Sequence, residues 1–205
     1  MKPLRWVFLA VVFVAALGLL ATALLLAKAR GFSAGERPTA VEAWIAGALR
    51  VAALPSDARA RKNPVPNTRD VLTEARAHWA DHCAICHAND GSGDVQLGKH
   101  TYPPAPDMRQ PKTQRMSDGE LFYIIQNGIR LSAMPAWGGG SDHDATDSWK
   151  LVYFIRHLPS LTASEEKQME RLNPKSPDEL KEEEDEIRFL RGEDLNEQSI
   201  KHDHQ

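Results

Sequence analysis

The sequence predicts an all-α protein: a transmembrane helix at the amino end, helices gathered around the one motif that holds both cysteines, and an acidic helical tail. Three observations carry this. Apolar residues recur at three- and four-residue spacing in each periodic segment, Ser/Thr-x-x-Glu boxes mark helix starts, and no strand pattern flanks the cysteines. The expected organisation is an anchor over residues 1–30, an amphipathic helix with a Pro-containing linker over 31–67, a folded domain over 68–161 and an acidic extension over 162–205.

Residues 6–27 (WVFLAVVFVAALGLLATALLLA) contain no charge, and those 22 residues reach about 33 Å as a helix, enough to span a bilayer. A cleaved signal peptide, with Ala27-Lys28-Ala29 as its cleavage site, asks for an apolar core of only about 7–15 residues. The length favours an uncleaved anchor. Lys2 and Arg5 on one flank balance Lys28 and Arg30 on the other, so charge alone does not orient it.

Next, Thr39-x-x-Glu42 opens a helix over residues 39–54, with Val41, Trp44, Ile45 and Ala48 on one stripe. Arg59, Arg61 and Lys62 then lead into Pro64 and Pro66, which reads as a semi-rigid linker. Residues 28–69 carry 8 Lys/Arg against 3 Asp/Glu. This basic neck either lies on anionic head groups or packs its apolar stripe on the folded domain.

A helix starting near residues 68–70 carries Leu72, Ala75, Trp79 and Cys83 on one stripe and ends in the cysteine motif. Residues 89–111 are rich in Gly and Pro and read as irregular loop. Ser117-x-x-Glu120 opens a helix with Leu121, Phe122, Ile124 and Ile125, closed by Asn127-Gly128, and Met116 before it suits a hydrophobic staple. A loop over 130–144 precedes the segment DSWKLVYFIRHLP, whose apolar girdle asks for burial on two sides. Thr162-x-x-Glu165 and Ser176-Pro177-Asp178-Glu179 read as two further helix starts in the solvated tail, with Gly192 as a stop.

Residues 163–205 hold 14 Asp/Glu against 7 Lys/Arg, which gives the tail −7 and leaves +4 on the remainder of a chain whose total is −3. Neither part has the clustered basic surface that nucleic-acid binding requires. Cys83 and Cys86 are the two cysteines of the chain, so no disulfide framework supports the fold.

The motif His82-Cys83-Ala84-Ile85-Cys86-His87 admits three chemistries. A thioredoxin-like disulfide asks for a βαβ context, and helices flank this pair. A zinc site asks for two more ligands on an approaching element, whereas His78 and His82 share the cysteines' own helix. Covalent haem attachment asks for two thiols near the porphyrin vinyl groups and an adjacent imidazole to reach the iron, all of which are present.

With those residues in view, residues 68–161 resemble a class I mono-haem cytochrome c: a helix ending in CAICH, a glycine-rich loop, the PPAPDMR loop, the AMPAW loop and the closing helix SWKLVYFIRHL. The resemblance implies one haem c bound through Cys83 and Cys86, with His87 as proximal ligand. That family commonly has glycine after the histidine. Here Ala88 stands in its place, a departure expected to be tolerated because Gly91 and Gly93 supply loop freedom.

For the distal ligand the chain offers Met108, Met116, Met134, His100 and His143. Met134 lies on a proline-stiffened loop between two helices and matches the family's sulfur ligand, and His100 is the runner-up. Both axial positions would then be filled, which raises the potential and implies electron transfer rather than turnover of a small-molecule substrate. The resemblance implies that a carbonyl from Pro103, Pro104 or Pro106 holds the second nitrogen of His87; stiffening of the turn explains these prolines equally well. Trp137 either donates to a haem propionate or fills the core. Trp79 and Tyr153 read as a packing pair, and His78, His82 and His157 as surface or satisfied histidines. His202 and His204 could bind Cu(II) or Ni(II) weakly, although a frayed polar end explains them as well.

The reading that follows is a single-pass protein of the cytoplasmic membrane, with its haem domain on the periplasmic side, relaying single electrons between protein partners. Its charged patches would steer those encounters. Alternatives are a haem-bearing structural subunit of a respiratory or dehydrogenase complex, and a gas- or peroxide-reactive haem protein.

Overall fold

Thr39, Ser117, Thr162 and Ser176 each close a capping box in the computed structural model, so the helix starts marked in the sequence are built by the expected hydrogen bonds. The structure describes residues 2–30 and 33–191. Gly192, His202 and His204 lie outside the described residues. The described residues form helices and loops without a strand.

The long apolar helix α1 (Lys2–Arg30) includes a stretch, Arg5–Lys28, with mean hydropathy 2.8, the one helix among the described residues long and apolar enough to cross a membrane. It is followed by α2 (Ala40–Ala53) and the short α3 (Ser56–Ala60). The helix that carries the cysteine motif comes in three parts: α4 (Arg69–His78), a π-helical turn over Trp79–Cys83, and α5 (Ala84–His87). Short α6 (Gln96–Lys99) and α7 (Pro111–Gln114) interrupt the predicted loop. Then come α8 (Asp118–Asn127), α9 (Asp142–His157), a 3-10 turn over Leu158–Ser160, α10 (Ala163–Glu170) and α11 (Pro177–Leu190).

The core sits where α4 and its π turn cross α9. Trp79, Val152 and Phe154 are almost wholly removed from solvent there, each burial stabilising by roughly 1.5–3 kcal/mol. Phe122 of α8 stacks on Trp149 of α9 at 4.0 Å, which is how the wide apolar girdle of α9 is covered on its second side. The helix α9 begins at Asp142, five residues before the predicted segment. Ser141 and Asp144 form a capping box with aspartate in place of glutamate, and the loop is correspondingly shorter.

Two expectations are corrected. The segment read as a semi-rigid linker is fastened to the domain: Ala58 is buried against α8, Arg59 pairs with Glu120 at 3.1 Å, and Asn63 donates to the Trp149 carbonyl at 2.8 Å. Gly119 permits this, because a Cβ there would strike the Ala58 carbonyl oxygen. In addition, the acidic extension is not solvated throughout. Met169 of α10 is fully buried in the core, while Arg76 of α4 bonds both Glu165 (3.1 Å) and Gln168 (3.0 Å). Helix α11, by contrast, has no buried residue.

Candidate functional site

The π turn decides how the cysteine motif faces. The Ala84 N–H bonds the Trp79 carbonyl, five residues back, and the extra residue in that turn rotates the following segment by roughly a third of a helical turn relative to α4. Trp79, Ala80, Ala84 and His87 thereby all face inward, Cys83 and Cys86 are half-buried, and Ile85 is exposed. A continuous 3.6-residue period does not foresee that displacement.

The His87 imidazole is 9% exposed, lies 5.7 Å from the Trp79 ring, and burial pushes its pKa down to about 4. It is therefore neutral at physiological pH, the state in which imidazole ligates a metal. Its Nδ1 is buried with no hydrogen-bond partner. The bond predicted from a prolyl carbonyl is thus not made; the Pro103 carbonyl instead accepts from the Thr101 hydroxyl at 3.1 Å.

Both thiols are free. Burial, with a smaller contribution from Cys86, pushes the Cys83 pKa up to about 12, and burial also raises Cys86. A redox dithiol needs a depressed thiol pKa, which these surroundings do not supply. Among the described residues no group of three or more His, Cys, Asp or Glu side chains is gathered as a zinc site requires.

The loop after the motif folds back on it. Gly93 N–H bonds the His87 carbonyl at 2.9 Å, Met108 N–H bonds Gly91 at 2.8 Å, and Ala105 N–H bonds Gly98 at 2.9 Å. Gly98 presses so close to the Cys86 carbonyl that a Cβ would collide with it. At the end of α5, Ala88 takes φ +61° and ψ 163°, a region that is otherwise almost confined to glycine. The strain stays at Ala88 itself; the freedom of Gly91 and Gly93 does not relieve it.

The AMPAW loop runs against the carboxyl end of α8. Trp137 N–H and Gly138 N–H bond the Ile125 and Gln126 carbonyls, each at 3.0 Å, satisfying acceptors that a helix end leaves open. Gly128, at φ +66°, lets the loop pass: a Cβ there would sit 2.7 Å from the Met134 carbonyl oxygen. Met134 N–H is held by Ser132 Oγ at 3.1 Å.

The candidate distal ligands now separate. Met108 and Met116 pack against the core, whereas Met134 is half-buried outside it. His100 is exposed with Nδ1 2.7 Å from the Gln96 carbonyl, and His143 is exposed beside Asp147 at 3.3 Å. Trp137 is 36% exposed and meets the His82 ring edge-on at 5.7 Å, so it is not a core filler.

Trp79 pairs with Phe154 (5.3 Å) rather than with Tyr153, whose hydroxyl donates to the Val65 carbonyl at 2.7 Å. Of the remaining histidines, His82 is exposed beside Asp81 at 3.1 Å and His157 pairs with Glu165 at 3.0 Å. His78 is half-buried, and its pKa is lowered chiefly by burial and then by His82.

Residues 70–155 match the family described as cytochrome c oxidase, cbb3-type, subunit III. No curated protein matches the chain.

Proposed function

Because residues 70–155 form a mono-haem cytochrome c domain, which carries covalent haem c and serves electron transfer, we propose that this chain is a membrane-anchored one-electron carrier. Cys83 and Cys86 would hold the haem by thioether bonds, and His87 and Met134 would supply the ligands to its iron. The observation that carries the assignment is the buried His87 imidazole, its Nδ1 without a hydrogen-bond partner, beside two free thiols. The haem, when bound, supplies reversible gain and loss of one electron at iron.

The chain's own residues set the conditions for that exchange. Trp79 and the π turn orient His87, and burial keeps its ring neutral. Met134 would offer its thioether sulfur to the iron, a ligand that raises the potential and would leave no place for small ligands. Cytochrome c domains are extracytoplasmic, so α1 crosses the membrane with its amino end in the cytoplasm. The haem domain, expected over 68–161, gains α3 at one end and α10 at the other. The match to an oxidase subunit supports a respiratory redox partner, either met in passing or assembled in one complex.

The test is a visible spectrum and potentiometric titration of the full chain. Haem should stay with the denatured polypeptide and be lost in the Cys83→Ser/Cys86→Ser variant. Met134→Ala should abolish the iron–sulfur charge-transfer band and lower the potential, while Met108→Ala keeps both. Retention of the band in Met134→Ala would remove that ligand assignment.

A further inference from the structure

We propose that α2 is a membrane-surface helix that lies on anionic lipid head groups and fixes the height of the haem domain above the bilayer. This rests on reading α1 as a membrane span. Of the two roles open to the apolar stripe of the neck, packing on the folded domain is not what the structure builds. No residue of α2 is buried, and its bulky side chains stand open: Trp44 is 73% exposed, Val41 65% and Leu49 64%.

Those side chains form one face. Val41, Ile45, Ala48 and Ala52 run along its centre, with Trp44 and Leu49 on its flanks, while Ala43, Ala46 and Arg50 point the other way. An apolar face this continuous on a single helix asks for a cover.

Lipid is the cover that the rest of the neck fits. Nine residues separate Arg30 of α1 from Ala40 of α2, a reach of at most about 30 Å when fully extended. Helix α2 therefore cannot leave the neighbourhood of the surface from which α1 emerges. Lys28, Arg30, Arg37 and Arg50 stand against Glu36 and Glu42 between the end of α1 and the end of α2, a surplus drawn to anionic head groups, and the Trp44 indole suits the boundary between acyl chains and water.

The mechanical consequence follows from what lies on the other side. Leu54 and Pro55 alone join α2 to α3, and α3 is docked on α8 through Ala58 and the Arg59–Glu120 pair. A surface-bound α2 therefore holds the haem domain at short range instead of letting it swing on a long tether.

The experiment uses full-length, haem-loaded protein with single cysteines introduced at Leu17, Val41, Ile45, Ala43 or Ala46, the native cysteines being blocked by haem. The protein is reconstituted in phosphatidylcholine vesicles with or without phosphatidylglycerol and treated with a charged maleimide. In the anionic vesicles Val41→Cys and Ile45→Cys should react at least about tenfold more slowly than Ala43→Cys and Ala46→Cys, as expected for a face sunk below the head groups. High salt or removal of phosphatidylglycerol should narrow the gap. If Leu17→Cys is protected but both faces of α2 react alike, the surface helix is overturned and the anchor stands. Fast reaction at Leu17→Cys overturns both. Protection that ignores lipid charge and rises with the protein-to-lipid ratio gives the face to a second copy of the chain and overturns the proposal.

Discussion

Trp79 Nε1 donates to the Ala88 carbonyl at 2.9 Å, tying the indole that packs on His87 to the one strained residue at the end of the haem-binding turn. The bond spans the π turn and α5, so it fixes the length of the segment that carries both cysteines. It also holds Ala88 in a conformation that alanine resists.

Ala88→Gly should therefore raise the stability of the haem-loaded protein by about 1 kcal/mol, the relief of left-handed strain less the added freedom of the unfolded chain. Thermal unfolding followed by circular dichroism checks this. An unchanged or lower midpoint would mean that the strain is not carried at Ala88.

Met169→Ala should cost about 2–5 kcal/mol, the range for emptying a buried site. Leu180→Ala on the exposed α11 should leave the midpoint within about 0.5 kcal/mol. Denaturant titration of the two variants separates a docked α10 from a solvated one.

Gly119→Ala puts a methyl group against the Ala58 carbonyl and beside the Arg61 backbone. Helix α3 should lift from α8, at a cost of about 1–3 kcal/mol. Hydrogen exchange over residues 56–65 should speed up with little change in the visible spectrum, since no residue of the cysteine motif moves.

Acid should loosen α10 first. Burial alone would raise the Glu165 pKa, but the Thr162 N–H (2.9 Å) and hydroxyl (2.8 Å), together with His157, pull it down to about 2. Arg76 lies against the same carboxylate. The folded pKa is below the unfolded one, about 4.3, so this contribution is complete above that value and disappears as pH falls through about 2. Melting temperatures taken at pH 5, 4 and 3 should fall more steeply for the native chain than for Glu165→Gln; parallel curves would exclude Glu165 as the source.

The parts of this structure that are legible in the sequence are those written locally. A capping box needs two residues three apart, and the cysteine motif is six consecutive residues, so both can be read without knowing the fold. Met169 cannot be read this way. It is one apolar residue in a charged segment, and its burial depends on the core cluster, which exists only after α4 and α9 have crossed. The π turn escapes for a related reason: a single inserted residue leaves each side's period intact and changes only their phase. Docking of α3 hangs on the missing side chain of Gly119, and an absent group leaves no pattern. The His87 partner was expected from general coordination logic, yet backbone placement over residues 98–106 decides it, and no residue type encodes that placement.

Asn173 closes the molecule just beyond α10. With its amide nitrogen turned toward the available acceptors, it bonds the Ala80 carbonyl at 3.1 Å and Asn89 at 2.9 Å, one on each side of the cysteine motif. The portable cassette therefore exceeds the family's 70–155 stretch at both ends. Grafted onto another carrier protein, a piece trimmed to 68–161 would arrive without its floor under Ala80 and without its buttress on α8, whereas a piece cut from Ser56 to Asn173 would travel whole.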